Sequence, residues 1–294
     1  MPRAAVLSLH ARVLDVTADV LDNPSLIQVW GPRYSVYVAA ARDRAVFTLG
    51  RWPETQKACE RAARMAAQLA ASLGERPESY ADIGDTLGVN PNALRYGTTT
   101  GTILIRWDGA RAPRVWMVPA PEVAVDEARA ELARRYLHVF GPGTPLGFAK
   151  WAGVSDRLAL AVFKSLSNTL LAVRTPLSEA WVLADDEDDF RAQPGPVAPA
   201  RLLPSGDAYY LFWGPDRGLL VPDATNQAEL WTSRVWPGAV LLDGEPRGTW
   251  RRVQQTVNVN LWKPGTSAHR EAVEREAAGL PIPGFEGRIN VTWE

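Results

Sequence analysis

Apolar residues near the N-terminus fall at Val6, Leu7, Leu9, Val13, Leu14, Val16 and Val20, close to the 3.6-residue period of one helix face, and Asp22, Asn23 and Pro24 close the pattern. This predicts an N-terminal helix. Residues 25–39 then read SLIQVWGPRYSVYVA, two β-type runs broken by Gly31 and Pro32, followed by a short helix over about 40–49. The Ala-rich stretch TQKACERAARMAAQLAASL, 55–73, predicts a strong helix that stops at Gly74. Pro77 and Ser79 open a further helix through about Leu87, Gly88 turns the chain, and Asn90 caps another helix with Pro91 in its first position. The runs ILIRW and RVWMV form a hairpin with Asp108 and Gly109 at the tip. Helix, tight turn, helix and hairpin is the order of a winged helix.

The same order recurs over 125–184. VDEARAELARRYLHVF, 125–140, is an amphipathic helix closed by Gly141; Thr144 and Pro145 cap and start the next, and Ser155 caps a third, to about Leu166. Residues 170–173 and 181–184 pair as its wing. The two copies share topology and not residue identity. The acidic run at 185–189 and RAQPGPVAPAR, 191–201, read as a linker. Beyond it RLLPSGDAYYLFW, RGLLVP, GAVLLDG, RRVQQTVNVNLW and RINVTW are short β-type runs between Gly, Pro and Asp turns, interrupted by a helix near 267–278. The expected fold class is α+β: tandem winged-helix domains followed by a small C-terminal β-rich, barrel-like domain. Boundaries fall at 1–124, 125–190 and 198–294.

A length of 294 residues suits two or three such units, and 46% hydrophobic with 22% charged residues excludes a disordered or collagen-like chain. The 12 Trp read as large core anchors. Cys59 is the sole cysteine, which excludes a disulfide framework, a Cys-rich zinc site and a CxxC pair. His10, His138 and His269 are too few for a His-based metal site, so neither metal nor organic cofactor is expected. No apolar run reaches the roughly 18 residues of a membrane helix and no secretory signal opens the chain, so a cytoplasmic protein without a membrane partner is expected. The net charge of −1 argues against a strongly basic nucleic-acid binder, yet with five acids concentrated at 185–189 the rest of the chain is net basic.

Four stretches carry a resemblance: VWGPRYSVYV at 29–38, RRYLHVFGPGTPLGFAKWAG at 134–153, RLLPSGDAYY at 201–210 and LLDGEPRGTWRR at 241–252. In sequence and order they resemble the tandem winged-helix DNA glycosylases of the AlkZ/AlkX (YcaQ-like) type over nearly the whole chain. The resemblance implies three winged-helix units framing a concave surface for duplex DNA, a C-terminal β-domain, and hydrolytic release of N-alkylated purines, including crosslinks. The family's catalytic Gln-x-Gln or Gln-x-Asp motif corresponds here to His10 and Arg12, with both carboxamides replaced. A second family pattern, Arg-Gly-Thr-x-His, stands as Arg33, Tyr34, Ser35, Val36 and Tyr37. Nine residues precede His10, so the first winged-helix unit is expected to be incomplete.

An N7-alkylated purine leaves already carrying positive charge, so its excision needs stabilisation of an oxocarbenium-like sugar and a placed water more than it needs a general acid. A guanidinium at position 12 opposes that. Two unit charges about 4 Å apart at an effective dielectric near 20 repel by roughly 4 kcal/mol, on the order of a thousandfold in rate. Asp15, three residues on, is a local counter-charge, and a phosphate is another destination for Arg12. The imidazole of His10 can accept a proton from water. Arg33, Arg95, Arg106, Arg111, Arg114, Arg251 and Arg252 lie around the wings, the recognition helix and a turn, where contacts to DNA are expected. Two readings stand: a monofunctional glycosylase acting as a monomer on alkylated duplex DNA, and a winged-helix DNA-binding protein without catalysis.

Overall fold

The computed structural model describes the chain apart from residues 1, 74–75, 108–111 and 283–286 and the side chains of 2 and 3. Its first element, α1 (Pro2–His10), is much shorter than the apolar period predicts. Asp15 adopts φ 57°, a left-handed conformation that cannot continue a right-handed helix. The chain resumes as a 3-10 turn at Ala18–Asp22, and Val13 and Leu14 are exposed. β1 (Leu26–Trp30) and β2 (Val36–Ala40) pair antiparallel around Gly31 and Pro32, with Leu26 opposite Ala40. The short helix α2 (Arg44–Thr48) follows.

The first winged helix starts with α3 (Gln56–Ser72), whose first turn is capped by the Thr55 hydroxyl accepting from the Ala58 amide. Its buried Ala62, Met65, Ala66 and Leu69 have the i, i+3, i+4, i+7 spacing of one face. β3 (Glu78–Ser79), α4 (Tyr80–Thr86), β4 (Ile103–Arg106) and β5 (Arg114–Met117) complete it, in a sheet of order β3-β5-β4. The stop at Gly74 and the hairpin tip at Asp108 and Gly109 lie outside the described residues. The segment expected as an α-helix after Asn90 is a ten-residue 3-10 helix, Pro91–Thr100. Leu94, Ile103, Ile105 and Val115 close the core over α3.

The second copy has α5 (Val125–Phe140), α6 (Pro145–Ala152), α7 (Asp156–Ser165), β6 (Leu170–Arg174) and β7 (Glu179–Leu183). Its opening strand is reduced to a bridge between Gly143 and Trp181, the counterpart of β3. Thr144 and Ser155 cap α6 and α7 through their hydroxyls. Tyr136, Phe140, Phe148, Trp151 and Phe163 fill this core with ring centroids 5.4–6.4 Å apart. A buried guanidinium ties β1 to α6: Arg51 donates to the Trp30 carbonyl at 3.0 Å and the Ala152 carbonyl at 3.1 Å.

The acidic run is not a linker, because most of it folds as α8 (Glu187–Arg191), with Arg191 reaching back one turn to Glu187 at 2.6 Å. Then come β8 (Ala200–Leu203), α9 (Arg217–Leu220), α10 (Ala224–Leu230), β9 (Gly238–Leu242), β10 (Glu245–Val253), β11 (Thr256–Leu261), α11 (Ser267–Ala278) and β12 (Asn290–Trp293). The run RGLLVP is helical α9 rather than a strand, since a short apolar run carries no period that separates the two. The strands form an open sheet, β12-β11-β10-β9-β8, and not a barrel. A barrel leaves one face of each strand outside, whereas all five residues of β9 are buried. Val240 and Leu242 face a cluster with Val273 and Ala277 of α11, and Ala239 and Leu241 face one with Tyr210, Leu230 and Trp231.

Two compact units result: Leu21–Thr175 with Glu179–Asp186, and Arg3–Val20 with Pro176–Ser178 and Glu187–Glu294. Nearly all of α1 therefore folds with the C-terminal sheet and not with the first winged helix. Gly238 lies opposite Trp250, whose indole N–H donates to the Leu203 carbonyl at 2.8 Å. A methyl on Gly238 meets that indole and that carbonyl. Gly238→Ala is expected to destabilise this unit by about 2–3 kcal/mol, read as an earlier melting transition by circular dichroism; an unshifted melt would contradict the packing.

Candidate nucleic-acid interface

The position of the expected motif is set by a carboxylate. Asp207 has a side chain with 0% exposure, and an isolated buried charge is untenable without donors. Arg12 supplies two, Nη2 to Oδ1 at 2.6 Å and Nη1 to Oδ2 at 2.9 Å, a two-pronged grip. The Ser8 hydroxyl donates at 2.6 Å and the Tyr209 amide at 2.9 Å, the latter because Asp207 caps the 3-10 turn Ala208–Tyr210. Ser8 and Arg12 stand at i and i+4, and Nη1 of Arg12 also donates to the Ser8 carbonyl at 2.8 Å. The counter-charge of Arg12 is thus Asp207, not Asp15, and its guanidinium is engaged rather than open to a phosphate. His10 ends α1, half-buried, with Cε1 3.9 Å from where a side chain on Gly279 would begin. Asp15 and Asp19 do not share a helix face, since no helix spans them.

The expected arginines divide by what holds them. Arg106 on β4 donates to the Leu21 carbonyl and pairs with Asp22, so it is tied inward. Arg114 is exposed on β5, opposite Arg106. Arg111 lies outside the described residues. Arg251 donates to the Val235 carbonyl at 2.9 Å, and Arg252 to the Gln254 carbonyl. Arg33, exposed and left-handed at φ 55°, donates to the Lys150 carbonyl at 3.2 Å.

Arg95 belongs to a cluster that sequence reading missed. Its guanidinium lies 5.6 Å from the Tyr34 ring and 5.5 Å from the Tyr96 ring, while Arg51 sits 4.7 Å from Tyr34 and Arg61 3.9 Å from Tyr96. Tyr34 and Tyr96 meet edge to face at 5.4 Å. The hydrogen bond from Arg95, helped by the charges of Arg95 and Arg61, holds the Tyr96 phenol below its usual range. Burial pushes Tyr37 up to about 12 against the opposing charges of Arg51 and Arg33, and burial also lowers Arg51. Beside the cluster, a shallow groove of about 570 Å³ on α3 is lined by Thr55, Lys57, Arg61, Arg64 and Gln68 over Met65. The available signal was the spacing of Lys57, Arg61 and Arg64, which puts three cations on one helical face. Asp207 had a weaker one, a lone carboxylate amid the apolar RLLPSGDAYY.

A profile of the family described as DNA glycosylase AlkZ-like matches residues 1–281. An interstrand DNA cross-link repair glycosylase from Streptomyces sahachiroi is 29% identical over 173 residues, 56% of this chain. That match spans 45% of the relative, less than half its length. The solved structure of the Streptomyces sahachiroi DNA glycosylase AlkZ superposes with a TM-score of 0.78 at 18% identity, covering 99% of this chain and 89% of that one.

Removing Arg12 leaves Asp207 buried with two donors, so Arg12→Ala is expected to lower stability by about 2–3 kcal/mol in urea unfolding. The double variant with Asp207→Ala should lose less than the sum of the two single losses; strict additivity would show the pair is not coupled. Because the fold favours neutral Tyr37, its stabilisation is complete below the ordinary value of 10.0 and is lost as pH rises through about 12. Phenolate absorbance in an alkaline titration should show Tyr37, and Tyr210 which burial also raises, ionising last. A Tyr37→Phe variant that leaves the late phase intact would remove that assignment.

Proposed function

This chain belongs to the DNA glycosylase AlkZ-like family, and from that premise we propose that it binds duplex DNA and releases N-alkylated purines by hydrolysis of the N-glycosidic bond. The observation that carries the reading is the Arg12–Asp207 pair, 2.6 Å apart, at the position where the family motif would stand. A lone guanidinium there would repel a developing oxocarbenium ion; locked against a carboxylate it contributes a dipole and little net charge. The pair also fixes the last turn of α1, and with it the backbone of His10.

In the reaction, the base leaves with the electron pair of the C1′–N bond, already favoured by its own positive charge. Water attacks C1′ and gives up a proton, and His10 accepts it. Arg12 is a positioning residue in this scheme, and its reach to a phosphate is given up to Asp207. Arg33, Arg95, Arg114, Arg251 and Arg252 are the contacts to duplex DNA. The relative from Streptomyces sahachiroi, an interstrand DNA cross-link repair glycosylase, supports an interstrand cross-link as a substrate. A second reading, duplex binding without base release, is favoured by the replacement of both carboxamides of the family motif by His10 and Arg12.

Single-turnover incubation with duplex oligonucleotides carrying N7-alkylguanine, followed by alkali cleavage of abasic sites, separates the two. We expect release by the wild type and a loss of at least about a hundredfold in His10→Ala, with duplex affinity retained. Release undiminished in His10→Ala would remove its role, and binding with no release by the wild type would leave only the second reading.

A further inference from the structure

The two winged helices differ where such units usually meet DNA. The third helix of the second copy is the regular α7, but in the first copy it is the 3-10 helix Pro91–Thr100. Leu94, Gly97, Thr98 and Thr99 face the core, so the outward residues are few. Asn92 is held by the Tyr80 hydroxyl at 2.9 Å, and Arg95 lies against Tyr34 and Tyr96. A base edge in the major groove needs unengaged donors and acceptors on an exposed helix face, which this segment does not offer.

Next to it runs a different surface. Lys57, Arg61, Arg64 and Gln68 follow one another at i, i+4, i+7 and i+11 along α3, a helix locked by its core face against Leu94 and Ile103. The rise from Lys57 to Arg64 is about 10 Å, comparable with three phosphate-to-phosphate steps of one strand at about 3.4 Å per nucleotide along the duplex axis. Among the described residues none of these three cations has a carboxylate partner, in contrast to Arg12, Arg106 and Arg191. Arg61 is steadied over the Tyr96 ring at 3.9 Å with its outer edge left to solvent, and Glu60, the acid beside it, accepts from Gln56 at 2.8 Å. Arg61 held over a ring, with Lys57 and Arg64 exposed beside it and without carboxylate partners, fits a polyanion of regular spacing.

We propose that the first winged-helix unit grips the phosphodiester backbone of duplex DNA without reading its bases, through a track formed by Lys57, Arg61 and Arg64 of α3 beside Arg95. The inference rests on duplex DNA being the partner, as in the function proposed above, and not on glycosidic chemistry. It assigns α3, rather than the third helix, as the element that holds the strand, and it suits a protein that must engage any sequence in which a lesion occurs.

The test is fluorescence anisotropy of the full chain with undamaged duplexes of two unrelated sequences, titrated over a range of salt. Each phosphate-bound cation removed lowers the slope of log Kobs against log salt by about 1, so Lys57→Ala, Arg61→Ala and Arg64→Ala together should lower it by about 3, equally for both sequences. All three sites are exposed and alanine favours helix, so circular dichroism should find the variant folded. An unchanged slope in the folded variant, or an affinity loss confined to one sequence, would overturn the proposal. So would tighter binding to single-stranded RNA or anionic vesicles than to duplex at equal salt. Salt-dependent binding by a wild type that releases no base leaves the track standing while the catalytic reading fails; absence of duplex binding at low salt removes both.

Discussion

A carboxylate with no water has to be satisfied by the protein, and Asp207 is satisfied from both directions of the chain. Tyr209 and the 3-10 turn it belongs to come from the C-terminal segment, Ser8 and Arg12 from the N-terminus. The charge is worth burying only if all four donors arrive together, so it works as a registration device: α1 docks at one rotation and one depth. Leu7 then packs in the cluster under α11, and Ala11 in the one around Tyr210. The placement of His10 follows from electrostatics more than from helix propensity.

Pairing sorts the cations of this protein into two populations. Arg12, Arg106, Arg135 and Arg201 have acids or carbonyls as partners and hold elements together; Arg201, with Glu276 at 3.1 Å, ties β8 to α11. Lys57, Arg61, Arg64 and Arg95 are instead supported by aromatic rings or by the helix itself. Partly buried pairs are screened less by salt than the phosphate contacts of exposed cations, which respond to it strongly. A net charge of −1 conceals this division, in part because five of the 33 acidic residues are concentrated at 185–189, in and just before α8.

The tandem repeat is one of packing more than of surface. Both copies place a long helix first, cap two shorter ones with Ser, Thr or Asn, and close with a two-stranded wing. Their cores differ in kind: aliphatic around Leu69, Leu94 and Ile103 in the first, aromatic around Tyr136, Phe148 and Trp151 in the second. The aliphatic copy tightens its third helix to the 3-10 form, burying Gly97, Thr98 and Thr99. Small residues let that segment lie close, and the outward face shrinks accordingly.

Local chemistry was legible in the residues themselves. The caps at Ser79, Asn90, Thr144 and Ser155, the span of α5, α11 to within a residue, and the winged-helix order all follow from hydrogen-bonding side chains next to helical periods, interactions that lie within a few residues. What the residues did not disclose depends on partners far along the chain. The first helix looked long because Val13, Leu14 and Val16 kept the period, yet the chain turns left-handed at Asp15, and Arg12 is held by a carboxylate 195 residues away. The acidic run looked like a linker because its charges repel, but they are paired or solvated on a helix. The β-rich segment looked like a barrel because it is a series of short β-type runs between turns, and only tertiary packing of α11 on one side and the Tyr210 and Trp231 cluster on the other reveals that β9 is covered on both. For the candidate site, the sequence supplied His10, Arg12 and most of the arginines, while which of them are engaged, and the Tyr34, Tyr96 and Arg61 cluster, were decided by contacts that close only when the chain is folded.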